Sequence, residues 1–116
     1  MIRYESDGVV VLAPTQDLHE GGECDQMEDA LARLAERGAQ VVIDVTHVQH
    51  ISAHCLGILA QAHQTVSQHG GCIVLCGTTR MQNWLLSKTG LAGLIPVHDD
   101  LASAKCRLAA LRRTPA

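Results

Sequence analysis

Aromatic side chains are almost absent from this sequence. Tyr4 and Trp84 are its only two, and it has no phenylalanine. That excludes the stacking platforms on which single-stranded nucleic acid rests. Positive charge is no richer. Nine Lys and Arg stand against twelve Asp and Glu, a formal net charge of -3, which argues against a phosphate-binding basic face. No run of about 18 apolar residues occurs, so nothing is read as a membrane span. Residues 1–7 have no apolar core of a secretory leader, and the chain is expected to work in the cytoplasm. Five cysteines are an odd number. Without an export signal they read as free thiols in a reducing compartment, not as a disulfide framework.

Catalytic signatures are missing too. There is no GxGxxG, P-loop, GxSxG or HExxH pattern. The run His19-Glu20-Gly21-Gly22-Glu23 begins like a zinc-protease motif, but its fifth residue is Glu and its double glycine belongs in a loop. No pair of carboxylates lies at a predicted strand end beside a basic partner, so acid–base chemistry has no obvious team. The expectation is a non-enzymatic protein with no cofactor.

What is present is a regular alternation of apolar runs. A chain of 116 residues makes one domain, burying about 65% of the surface exposed when unfolded. It is expected to span 1–111, with a fraying tail at 112–116. Short strands are predicted at 2–5 and 9–13, joined by the hairpin turn Ser6-Asp7-Gly8. A helix over 23–37 follows, its acidic residues at the start and Arg33 and Arg37 at the end, as the dipole favours. Met27, Leu31, Leu34 and Ala35 form its buried face. A strand at 41–45 contains Asp44. Ser52 is a natural N-cap for a helix over 53–68, with Cys55, Leu59, Ala62 and Val66 inward. A strand at 72–76 precedes a helix at 80–88, capped by Thr78 or Thr79, with Met81, Trp84 and Leu85 inward. A strand at 95–98 and a helix from Asp99 or Asp100 to 111 complete the order ββαβαβαβα. The last helix turns Leu101, Ala104, Leu108 and Leu111 to one side. The fold class is α/β, with a mixed, mostly parallel sheet of four to five strands and about four helices.

Several residues invite chemistry. His47, His50, His54 and Cys55 have the donor types of a tetrahedral metal site, but they straddle a strand end, a turn and a helix start. The ordinary alternative is hydrogen-bonded or solvent-facing histidines. Cys55 sits in a first helical turn, where the dipole lowers a thiol pKa; otherwise it is a small buried hydrophobe. Cys72 and Cys76 lie four apart on a strand, about 13 Å by the strand rise, beyond disulfide reach. The stretch 17–29 holds six carboxylates and no Lys or Arg. It is either a solvated helix start or a docking patch for a basic partner.

The strongest signal runs from the strand with Asp44, through Val48-Gln49-His50-Ile51, into Ser52-Ala53-His54-Cys55-Leu56-Gly57. This strand–turn–helix resembles the heart of the STAS domain, the module of bacterial anti-sigma-factor antagonists. Gly70 to Leu75 resembles the family's next strand. Lys88-Thr89-Gly90-Leu91, then Leu94-Ile95-Pro96-Val97, is similar to its "T-G-L, then a short strand" segment, and Asp99 to Ala104 to its last-helix start. The match covers nearly the whole chain in order.

The departures carry information. Family antagonists usually read Asp-Ser-Ser-Gly-Leu-Gly at the turn, and a partner kinase phosphorylates the first Ser. Here Ser52 stands at the Asp position and Ala53 at the phosphoacceptor, so only Leu56 and Gly57 are kept. Asp17 is the survivor of an early Gly-Glu-Leu-Asp stretch. A phosphate at a helix start gains from backbone N–H groups and adds charge that can eject a partner. Ala53 cannot carry one, and Ser52 reads better as an N-cap. The resemblance therefore implies a protein-binding surface without the phospho-switch. It would dock a kinase-type anti-sigma regulator through residues 49–59. The candidate contacts are Asp17, Gln49, His50, Ser52, Ala53, His54, Cys55 and Leu56, with the 19–24 loop alongside. Two alternatives differ in class. One is an assembly subunit on the ATPase of a lipid-transporting ABC complex. The other is a metal or redox sensor built on His50, His54 and Cys55.

Overall fold

The structure, a computed structural model, describes residues 1–19 and 21–113, with side chains described as far as Ala109. Five strands form one sheet in the sequential order β1-β2-β3-β4-β5. They are β1 (Ile2–Ser6), β2 (Val9–Ala13), β3 (Gln40–Asp44), β4 (Cys72–Cys76) and β5 (Val97–His98). The first pair is antiparallel and the rest are parallel. The hairpin turn is made by Asp7 and Gly8, both at positive φ (55° and 80°), the pairing that twists a two-residue turn to suit its strands. Helices α1 (Gly22–Glu36), α2 (Ala53–Gln68) and α3 (Arg80–Thr89) make the three crossovers, and α4 (Leu101–Arg113) follows β5.

Strand alternation sorts the core into two layers. Val10, Leu12, Val41, Ile43, Ile73 and Leu75 face α1, α2 and the α3 end of the molecule. Val9, Val11, Val42, Val74 and Cys76 point the other way, onto Ala104 and Leu108 of α4. Because β2 to β5 follow one another in space, crossovers of one hand place α1 to α3 on the same face. Among the described residues only α4, capped by Asp100 accepting from Ser103 N–H at 2.8 Å, covers the back. Far from the turns described below, α1 meets the end of α2. A Cβ on Gly38 (φ +65°) would strike the His69 carbonyl.

The predicted order ββαβαβαβα holds. Three details differ. The last strand shrinks to Val97–His98, because a 3-10 turn over Leu91–Gly93 precedes it and Ile95 is spent as a buried plug. The last helix continues to Arg113; the rest of the tail, 114–116, lies outside the described residues, as does the side chain of Leu111. Third, α3 is rotated from its expected face, although Leu85 packs partly buried against the core as expected. Met81 and Trp84 are 72% and 58% exposed, while Gln82 and Leu86 are buried. Spacing alone favoured the larger apolar residues inward. A polar side chain displaces them because Gln82 has a specific task at the site.

Candidate functional site

The carboxyl ends of the parallel strands carry the site, where an α/β sheet leaves its loops open to ligands and partners. Residues 45–52 leave β3, turn, and enter α2. Three separate segments hold this turn. From one side, Asp17 Oδ1 accepts from the N–H groups of Gln49 (2.9 Å) and His50 (3.3 Å). Those two bonds, first Gln49's and then His50's, hold the Asp17 carboxyl below its ordinary value of 3.8. The next residue, Leu18, forms an isolated parallel bridge with Ile51. Leu18 N–H donates to the His50 carbonyl at 3.0 Å, and Ser52 N–H to the Leu18 carbonyl at 2.8 Å.

From the other side comes Gln82 of α3. Its Nε2 donates to the Val48 carbonyl at 2.7 Å and to the Gln49 carbonyl at 3.2 Å. Its Oε1 accepts from Thr79 N–H at 2.9 Å, while Thr79 Oγ1 accepts from Gln82 N–H at 3.1 Å. This is a reciprocal capping box. One side chain therefore starts α3 and pins the turn. Sequence reasoning missed Gln82 as a site residue, although the Thr-x-x-Gln spacing at 79–82 was the signal for it. The third brace sits at the β3 exit. Asp44 Oδ1 accepts from the N–H and hydroxyl of Thr46, and Gly77 (φ +78°) lies so close that a Cβ would strike Thr46.

The helix then begins as expected. Ser52 is the N-cap of α2, its Oγ accepting from Cys55 N–H at 3.2 Å. Ala53 is the first helical residue. Ala53 and His54 are exposed, as are Gln49 and His50; Ser52 and Asp17 are half-buried, and Cys55 and Leu56 are buried. The candidate residues thus converge at one end of the sheet, but with two roles. Gln49, His50, Ala53 and His54 form the accessible surface. Asp17, Ser52, Cys55 and Leu56 build it from beneath.

Cys55 brings a correction. Its sulfur is bonded to Cys24 of α1, with the two Cα atoms 6.4 Å apart. Both residues are buried. The expectation of free thiols fails for this pair because α1 and α2 lie side by side with their first turns level. Cysteine parity along the chain carries no trace of that juxtaposition. Cys72, Cys76 and Cys106 remain free. Burial and the Asp44 carboxylate push the Cys76 thiol up to about 12, and burial raises Cys72. Neither is a nucleophile at neutral pH.

The metal-sensor form of the alternative built on His50, His54 and Cys55 loses its third donor to this bond. Among the described residues no group of three or more His, Cys, Asp or Glu side chains is placed to hold a metal ion. The acidic stretch divides as well. Glu23 turns inward, where burial raises its carboxyl. The N-terminal ammonium at 2.7 Å and the N–H and hydroxyl groups of Thr15, with Gln16 N–H, outweigh that and hold it below its ordinary 4.5. Asp25, Glu28 and Asp29 are exposed on α1; Glu20 lies outside the described residues. No helix among the described residues is long and apolar enough to cross a membrane.

Known proteins share this fold. The STAS domain family model matches residues 2–104. A protein of Paenibacillus polymyxa named anti-sigma F factor antagonist is 24% identical over 83 residues, 72% of this chain and 69% of its own. The crystal structure of an anti-sigma factor antagonist from Mycobacterium paratuberculosis superposes with a TM-score of 0.80 at 19% identity, covering 93% of this chain and 92% of that one. A sulfate transporter family protein from Wolinella succinogenes has the same fold, with a TM-score of 0.79, 18% identity and coverage of 94% and 91%. With a family match over most of its length and the same fold as these structures, the chain belongs to the STAS domain family.

Proposed function

We propose that this chain is a non-enzymatic interaction module that docks a kinase-type regulator of the anti-sigma class in the cytoplasm. The contact surface is the 49–59 turn and helix start. Its defining property is an engagement that phosphorylation at Ala53 cannot end. The observation that carries this reading is the position of Ala53. It is the exposed first residue of α2, on a turn braced from three sides. A braced turn needs no ordering on binding, which lowers the entropic cost of association. A methyl group there presents a flat, uncharged point where the family carries a hydroxyl. The relative named anti-sigma F factor antagonist supports the class of partner.

A second reading has its own support. The sulfate transporter family protein from Wolinella has this fold too, which supports an assembly role on a transport complex such as a lipid-transporting ABC ATPase. The two readings differ in what touches Ala53. A photo-crosslinking residue placed at 53, with a control at Arg107 on the opposite face, separates them in lysate of the source cell. A kinase-type ATPase trapped from 53 but not from 107 is the expected result. A transport ATPase trapped from 53 favours the second reading. Equal trapping from both positions overturns this placement of the surface.

A further inference from the structure

Cys24 and Cys55 occupy matching places, each the third residue of its helix. Their bond ties the first turn of α1 to the first turn of α2, the turn that carries Ala53. Cys55 is also the residue whose N–H donates to the Ser52 cap. The two helix starts are held unequally without it. At α1 the N-cap is Gly21 (φ +86°), which supplies no side-chain cap bond, and Gly22 follows at φ +53°. That start relies on Glu23 reaching back to Thr15 and Gln16. A covalent link from such a loosely capped start to the docking helix transmits its state directly.

We infer that Cys24 and Cys55 form a reversible thiol pair whose oxidation state sets the mobility of the first turn of α2. The consequence for partner binding rests on the docking role proposed above. Bonds of this kind in a reducing compartment are mostly transient and redox-sensing, and this buried pair lies directly beneath the proposed interaction surface. Reduction takes a dithiol reductant. Its thiolate attacks Cys24 Sγ, beside the Gly21-Gly22 entry, and the S–S electron pair leaves on Cys55 Sγ. A helix N-terminus stabilises that leaving thiolate. The reductant's second thiol then closes its own disulfide and frees Cys24. Two electrons and two protons pass to the protein in all.

The test uses the full chain and dithiothreitol as the probe. Five cysteines less the bonded two leave three. The air-oxidised protein, unfolded in denaturant and alkylated, should therefore take three labels by intact mass, and five after reduction. Five labels without reduction overturns the inference. The native protein should be reduced by dithiothreitol while its far-ultraviolet dichroism is retained; a bond that opens only on global unfolding is a fixed brace and overturns it. Reduction should speed hydrogen exchange at the Cys55 and Leu56 amides by about tenfold, local opening being the low-energy route there. Unchanged exchange overturns it. Partner capture equal in both redox states removes the regulatory consequence and leaves docking standing. A redox step with no partner captured in either state counts against docking and leaves the thiol pair standing.

Discussion

The starts of α1 and α2 lie side by side, yet they are built by opposite means. The α2 start is overdetermined: a Ser52 cap, two bonds from Asp17, a bridge from Leu18 and a buried clamp from Gln82. The α1 start has a glycine cap with no side-chain bond and one carboxylate, Glu23, as its tether. The exposed surface of the α2 start is correspondingly plain, Ala53 and two histidines with little charge. Rigidity is concentrated at the α2 start. The turn proposed to meet a partner is fixed by residues set beneath its exposed surface, and the neighbouring helix start relies on the Glu23 tether and the Cys24–Cys55 link.

The comparison can be broken at its strongest point first. Cys24→Ala removes the bond between the two starts. In oxidised protein it should lower unfolding free energy by about 3–4 kcal/mol, the usual worth of a cross-link closing a loop of this length, measured by urea denaturation. The same substitution in reduced protein should cost far less. Next comes Gln82→Leu. It keeps the buried volume but strands the Val48 carbonyl and the capping box, at about 2 kcal/mol, with the loss visible as faster exchange at residues 48–50. Ser52→Ala deletes only one cap and should cost about 1 kcal/mol. The smallest effect is electrostatic. Asp17 and Glu23 both have lowered carboxyl pKa values, so each stabilises the fold above its unfolded pKa. That contribution fades as pH falls through the lower, folded value. Side-chain carbon shifts should therefore titrate below 3.8 for Asp17 and below 4.5 for Glu23, with stability flat above about pH 5 in this respect. Midpoints at or above those values would mean the braces are not formed.

Much of this was legible from residues alone. Apolar β-branched runs, Asp7-Gly8 and the Ser52 cap are local signals, and each marks the element it should. The family resemblance in the 44–57 segment and the Ala53 departure were equally visible. Three features were not, because each depends on two segments meeting. Spacing turned Met81 and Trp84 inward, since periodicity weighs size and hydrophobicity and cannot see that Gln82 finds two backbone carbonyls 33 and 34 residues away. Free thiols were expected at Cys24 and Cys55, since parity and compartment say nothing about the level at which two helices start. Asp17 was placed near the site by family likeness; its work on the backbone of Gln49 and His50 is a tertiary fact. The local caps and turns were readable, and the contacts between distant segments were not.

The central claim is that Ala53 lies at the heart of an interface kept free of phosphate charge. The most direct test is calorimetric titration of the partner trapped from position 53 against wild-type chain and Ala53→Glu, with ATP present. The account predicts that wild-type affinity is unaffected by ATP and that Ala53→Glu weakens binding at least about tenfold, from like-charge and desolvation cost. Equal affinity for the two chains would contradict it.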